Sequence, residues 1–176
     1  PVRAGVAHAV ANALFLFEPS LRKEGVEVEN RCELGKVHAW CDPNRLEQVL
    51  INLIGNAIDA MADSPRRELT LEANVEHVSD FTDSGNENPD AKPVPDWVRI
   101  DVLDTGPGLT EQTLAHLFEP FYTTKANGAG LGLGLAISRD IVREFHGEIE
   151  AAARPVGGAR FSIYLPAGPV STEHDS

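Results

Sequence analysis

The chain has 176 residues, 42% of them hydrophobic and 24% charged, which suits one α/β domain with its own core and excludes a disordered chain. Its formal net charge of −12 argues against a nucleic-acid partner, and any phosphate ligand must be held by local groups against the overall field. Cys32 and Cys41 form neither a disulfide framework nor a metal spacing, no run approaches the ~18 apolar residues of a membrane helix, and no signal peptide is visible. The first residue is Pro1 rather than Met, which points to a piece of a longer protein.

Residues 2–17 carry apolar side chains at Val2, Val6, Val10, Leu14 and Phe17, a helical stripe that Pro19 ends. Val26, Val28 and Cys32 suggest a strand, and Val37, Ala39 and Cys41 alternate as another. Both cysteines therefore read as reduced thiols in or near strands. Asp42-Pro43 predicts a helix start, an N-cap carboxylate followed by proline in the first turn, and the helix runs to about Met61. Residues 67–78 and 97–103 read as paired strands. The polar, proline-containing stretch 79–95 between them reads as a mobile hairpin loop. A short helix is expected over 110–117 and a longer one from Leu131 to Phe145, closed by Gly147. Residues 148–153 and 159–165 form a last hairpin about Gly157-Gly158, and the end of the chain reads as frayed.

Three blocks carry chemistry. On a helix over 43–61, Arg45, Gln48, Asn52, Asn56 and Asp59 share one stripe, while Leu46, Leu50, Leu53, Ala57 and Met61 lie opposite. Solvated faces favour Lys and Glu, and asparagine is a mediocre helix former, so two asparagines one turn apart suggest a purpose. A side-chain amide oxygen suits magnesium, which takes hard oxygen ligands and shares the rest of its shell with water and phosphate. In the second block, Asp104 ends the apolar strand Val98, Ile100, Val102 and precedes Thr105-Gly106-Pro107-Gly108. A carboxylate there accepts a hydrogen bond from an adenine amino group, and the glycines let backbone approach the ring; an Asx-turn carboxylate gives the same pattern. In the third, Gly128, Gly130, Gly132 and Gly134 run into a helix whose exposed amides and positive end suit phosphates. Leu131, Leu133 and Leu135 alternate with these glycines and anchor half of the loop. Neither G-x-x-x-x-G-K-[ST] nor G-x-G-x-x-G after a strand is present. Phe118 and Phe121 either pin a lid at its base or pack in the core. Lys125, after Thr123 and Thr124, either reaches a phosphate or is solvated.

In order, the asparagine helix NLIGNAIDAM (52–61), DTGPG (104–108), FEPFYTTK (118–125) and GLGLGLAIS (130–138) resemble bacterial sensor histidine kinases. These belong to the superfamily shared with gyrase B, mismatch-repair ATPases and heat-shock chaperone ATPases. The match covers roughly 42–166, and its GLGLGLAIS and NAIDAM look most like dicarboxylate-transport and nitrogen-regulation sensors. The resemblance implies a Bergerat-type α/β two-layer sandwich, a mixed sheet covered on one face by helices, with a flexible ATP lid over about 106–131. The expected organisation is an N-terminal helix over 1–20, packed on or leading into the domain, an ATP-binding catalytic domain over 21–168 and a disordered tail over 169–176. The implied cofactors are ATP, with ADP as product, and Mg2+. Asn56 would be the principal metal ligand with Asn52 assisting, and Asn52, Asn56 and Lys125 would serve catalysis. Nucleotide contacts would come from Asn52, Asn56, Asp59, Ala60, Asp104, Gly106, Gly108, Leu109, Phe118, Thr123, Thr124, Lys125, Gly130, Leu131, Gly132, Leu133 and Gly134.

Two departures matter. Many relatives place threonine, which helps a water bridge to adenine, where this chain has Ala159 in GGARF. None of the six histidines fits a phosphoacceptor followed closely by an acid: His8 is followed by Ala9. The resemblance therefore implies the catalytic half alone, partnered by the phosphoacceptor helical hairpin of the same protein and a downstream response regulator. It implies a cytoplasmic domain, most simply of an inner-membrane sensor, with no nucleic acid and no direct membrane contact. In gyrase-type and chaperone-type relatives a glutamate one turn before the metal asparagine activates water. Here that position is Asn52, which cannot act as a base, so transfer to histidine is expected over hydrolysis. A hydrolase or a purely nucleotide-binding module of the same superfamily are the alternatives.

Overall fold

The computed structural model describes residues 1–77, 96–122 and 134–170. In chain order the elements are β1 (Val2–Gly5), α1 (Val6–Leu16), α2 (Glu18–Lys23), β2 (Glu27–Asn30), β3 (His38–Cys41), α3 (Pro43–Ala60), β4 (Glu68–Glu76), β5 (Trp97–Leu103), α4 (Glu111–His116), α5 (Gly134–Glu144), β6 (Glu148–Ala153) and β7 (Ala159–Pro166). The hairpin loop expected over 79–95 lies outside the described residues. The expected lid is described only as far as residue 122, and the expected tail only to residue 170.

Helix α3 is the element that positions the site. Asp42 caps it, its Oδ1 accepting from the main-chain N–H of Asn44 at 2.8 Å and of Arg45 at 3.3 Å. Pro43 takes the first turn, where a missing N–H costs no helical bond. The helix buries Leu46, Val49, Leu50, Leu53, Ile54, Ala57 and Ile58. Each large side chain so buried contributes about 1.5–3 kcal/mol, whereas an asparagine costs roughly half a kcal/mol of helix propensity. Packing therefore outweighs the two poor helix formers on the other face.

The main sheet has the order β2-β4-β5-β7-β6. The β2–β4 pair is parallel and the rest antiparallel, so the sheet is mixed. Strict alternation aims Leu69 and Leu71, Val98, Ile100 and Val102, and Phe161, Ile163 and Leu165 into one core. Register places Ile100 beside Ile163 and Ile163 beside Ile149. Helices α1, α3 and α5 cover this face: α3 contacts both other helices and the sheet. The opposite face is polar: Ser162 Oγ donates to Asp101 Oδ1 at 2.5 Å and Arg99 Nε to the same oxygen at 3.0 Å, while Arg160 Nε on β7 is buried with no hydrogen-bond partner among the described residues. Among the described residues no helix is long and apolar enough to cross a membrane.

The N-terminal stretch departs from the single helix expected over 2–17. Val2 to Gly5 pairs antiparallel with β3, Val2 opposite Cys41, so the helix starts only at Val6. Pro19 does not stop a helix but sits in the first turn of α2, where its fixed φ fits. Both cysteines are free, and burial pushes each thiol up to about 11. At the end of α5 the left-handed residue is His146, with φ 64°, rather than Gly147. Gly147 is needed for space: a Cβ there would lie 2.0 Å from the Tyr164 carbonyl oxygen.

Candidate functional site

Asp104 follows β5 and sits at the start of β7's neighbour ladder, its N–H donating to the Ala159 carbonyl at 3.0 Å. The side chain is 2% exposed. Its Oδ1 accepts from the N–H of Gly106 at 2.9 Å and of Ala159 at 3.2 Å. Oδ2 accepts no hydrogen bond among the described residues. Burial holds the carboxyl above the usual carboxylate range, opposed by the two main-chain N–H groups and the charge of Arg154. The Asx-turn reading is thus expressed at Oδ1, and Oδ2 is left without a hydrogen bond among the described residues.

The turn after Asp104 is pressed against the end of α3. A Cβ on Gly106 would stand 2.9 Å from the Ala60 carbonyl oxygen, so only glycine lets the strand end approach this closely. Gly108 has φ +85° and lies against the Gly158 carbonyl. Thr105 ties the two elements together: its Oγ1 donates to the Arg66 carbonyl at 2.8 Å and lies 3.5 Å from Met61 Sδ. Leu109 packs on the core beside this turn. Asp104, Gly106, Gly108 and Ala60 therefore converge at one end of the central strand β5, beside the C-terminal end of α3.

One to two turns back along α3, Asn56 and Asn52 are half-buried. Asn56 makes no side-chain hydrogen bond among the described residues, and Asp59 is exposed. Asn52 reaches across to α5: its Nδ2 donates to Ser138 Oγ at 3.0 Å and contacts the Gly134 carbonyl at 3.4 Å. The structure thus brings Asn52 and Gly134 together across 82 residues of chain. Phe118 takes its contact elsewhere, under the Arg139 guanidinium at 5.0 Å from the ring centroid. Phe121 is 71% exposed, so of the two phenylalanines only Phe118 packs against the core. Thr123, Thr124, Lys125, Gly130, Leu131, Gly132 and Leu133 lie outside the described residues.

Sequence reasoning did not single out Arg154 or Ser138. Arg154 Nη1 donates to the Asp104 carbonyl at 2.7 Å and steadies the main chain behind the carboxylate. Ser138 is fully buried and holds Asn52. A polar residue one turn into a helix with an otherwise apolar inner face was the available signal for Ser138. Chemically, the arrangement offers a spare buried acceptor at one end and side-chain amides at the other, the pattern a purine and a metal-bound phosphate chain would each require.

Residues 41–169 match the family described as histidine kinase-, DNA gyrase B-, and HSP90-like ATPases. The chain is similar to the two-component sensor PprA of Pseudomonas aeruginosa, with 37% identity over 90% of this chain and 16% of that protein. It is similar to the C4-dicarboxylate transport sensor protein DctS of Rhodobacter capsulatus, with 32% identity over 92% of this chain and 22% of that protein. The chain thus spans about a fifth of the length of these curated relatives. Among solved structures it is similar to the nucleotide-free catalytic domain of the histidine kinase ThkA, with a TM-score of 0.68 and 29% identity, covering 96% of this chain and 98% of that one.

Proposed function

The chain belongs to the family of histidine kinase-, DNA gyrase B-, and HSP90-like ATPases, and from that premise we propose that it is the catalytic domain of a two-component sensor kinase. It binds Mg-ATP and transfers the γ-phosphate to a histidine on a separate helical hairpin of the same protein, which in turn supplies a response regulator. The observation that carries the reading is Asp104, whose Oδ1 is held by Gly106 and Ala159 while Oδ2 is spare. A buried acceptor of that kind selects the amino group of adenine.

The side-chain amides of Asn56 and Asn52 fit a magnesium ion, which takes oxygen donors and would neutralise charge on the phosphates. The phosphates themselves fall to the glycine loop from Gly130 to Gly134, with Thr123, Thr124 and Lys125. Asp59, Ala60, Gly106, Gly108 and Leu109 shape the base end. Phosphoryl transfer asks the protein chiefly for positioning. The histidine nitrogen attacks the γ-phosphorus, the bond to the bridging oxygen breaks, and ADP leaves. With Asn52 where a base would stand, and with its amide already engaged by Ser138, water has no activating group at this position. The relatives are named as sensors, which supports a cytoplasmic placement beneath a sensing region, and residues 1–20 belong to the domain with 21–168, since β1 pairs with β3 and α1 packs into the same core.

The test is calorimetric titration with ADP and magnesium, then transfer of labelled γ-phosphate to a supplied histidine hairpin. The parent is expected to bind and to label the hairpin. Asn56→Ala should lose the magnesium-dependent part of the affinity, while Asp104→Asn should weaken even metal-free ADP. Steady phosphate release without the hairpin would favour a hydrolase. Binding with neither reaction would reduce the chain to a nucleotide-binding module.

A further inference from the structure

We propose that the main-chain N–H groups of Gly106 and Ala159 confine any proton gained by Asp104 to Oδ2, so that this one oxygen selects a 6-aminopurine when bare and a 6-oxopurine when protonated. The inference rests on the function proposed above. Oδ1 accepts from Gly106 at 2.9 Å and from Ala159 at 3.2 Å. Both donors are fixed by the backbone. The Asp104 N–H donates in return to the Ala159 carbonyl at 3.0 Å, and Gly158 lies so close that a Cβ on it would stand 2.0 Å from the Asp104 carbonyl oxygen. The Asp104 side chain is 2% exposed, and its Oδ2 accepts no hydrogen bond among the described residues. Oδ2 is nevertheless not sealed in: among the described residues, Arg160 Nε alone is a fully enclosed side-chain nitrogen or oxygen without a partner. Oδ2 therefore meets an opening.

A carboxylate accepts at both oxygens, whereas a carboxylic acid has one accepting oxygen and one donating hydroxyl. Two N–H donors at Oδ1 require that oxygen to stay the acceptor, so the proton sits on Oδ2. Ionised, Oδ2 accepts from a 6-amino group, as in adenine. Protonated, it donates, and its match is a 6-oxo group, as in hypoxanthine. The proton is exchanged with solvent, and no bond of the nucleotide changes. Three sets of charged groups stand around Asp104. From the β6–β7 turn, Arg154 Nη1 lies 2.7 Å from the Asp104 carbonyl oxygen. Arg66 and Glu68, before and at the start of β4, are exposed and paired with each other at 2.6 Å. Asp59 is exposed on α3. Burial favours the proton, and of these groups it is the charge of Arg154 that opposes it. Arg154 therefore holds the site toward adenine.

The test titrates the parent and Asp104→Asn with ADP and with inosine diphosphate (IDP), both in chelator, so that the shared diphosphate cancels in the ratio of affinities. Asp104→Asn imitates the protonated acid permanently: its oxygen stays on the two N–H groups and its NH2 replaces Oδ2. The ADP:IDP affinity ratio should fall by roughly a hundredfold, one buried hydrogen bond being lost with ADP and one gained with IDP, each worth about tenfold. In the parent the same ratio should narrow as pH is lowered from neutral. Arg154→Met should move that narrowing to higher pH, because the charge that opposes the proton is gone, and Arg154→Lys should restore the parent profile. Equal weakening of both nucleotides at every pH in Arg154→Met would overturn its part in the selection. A parent that binds ADP, beside an unchanged ratio in Asp104→Asn or a ratio that does not respond to pH, would overturn this inference alone. A parent that binds neither nucleotide would overturn the functional reading beneath it.

Discussion

Asp104 is a carboxylate in a place that disfavours its charge. Burial raises its pKa, against the main-chain N–H groups of Gly106 and Ala159 and the charge of Arg154. The folded protein therefore holds this proton more tightly than the unfolded chain does. By linkage, its contribution to stability is full below the ordinary aspartate range and is lost as pH rises through the raised folded value. Asp104→Asn should remove that part of the pH dependence and leave the nucleotide-free protein at least as stable as the parent at neutral pH. The same variant should lose roughly tenfold or more in ADP affinity, because an amide held by two N–H donors at its oxygen turns its own donor toward the adenine amino group. Thermal unfolding across pH, beside ADP titration, checks both. A variant that is both less stable and unimpaired in binding would remove Asp104 from the site. Asp104, Asn52 and Asn56 were legible in the sequence because each residue type is unusual where it stands. Arg154 and Ser138 were not: they act on partners 50 and 86 positions away, and nothing local records those contacts.

At the scale of elements, the β6–β7 hairpin shows what two adjacent glycines do. Both have positive φ, +94° at Gly157 and +89° at Gly158. Around Gly157 a Cβ would meet open space, whereas at Gly158 it would stand 2.0 Å from the Asp104 carbonyl oxygen. Gly157→Ala should therefore cost about 1 kcal/mol of backbone strain, and Gly158→Ala about 3 kcal/mol or more as strain and overlap combine. Gly158→Ala should also weaken ADP binding, since the displaced main chain is that of Asp104. Urea unfolding of both variants decides it, and equal costs would mean that the turn does not support the site. The turn itself was legible as Gly-Gly between two alternating runs. The N-terminal segment was less so. Its apolar spacing from Val2 to Phe17 satisfies a helix, but Val2–Gly5 instead pairs its main chain with β3. Periodicity reports which side is apolar; a partner strand decides which backbone satisfies its hydrogen bonds.

For the whole molecule, the net charge of −12 sets a field that repels nucleotides until they reach the site. Screening that field shortens its reach from about 30 Å at 0.01 M salt to about 8 Å at 0.15 M. The association rate of Mg-ATP should therefore rise between these conditions, measured by stopped flow. A steep fall would reveal a local basic path that the composition does not suggest.

Local chemistry determined a good deal unaided: the capped α3 with its two faces, the alternating strands, the glycine turn after Asp104 and the order of motifs that marks the family. These are short-range matters of period, capping and φ, readable from neighbours along the chain. The strand order β2-β4-β5-β7-β6 was decided only by tertiary structure. That order sets residue 159 beside Asp104, and the docking of α5 on α3 sets Ser138 under Asn52. Such pairings are chosen by which distant surfaces bury together most completely, a competition over the whole chain that no local stretch of it contains.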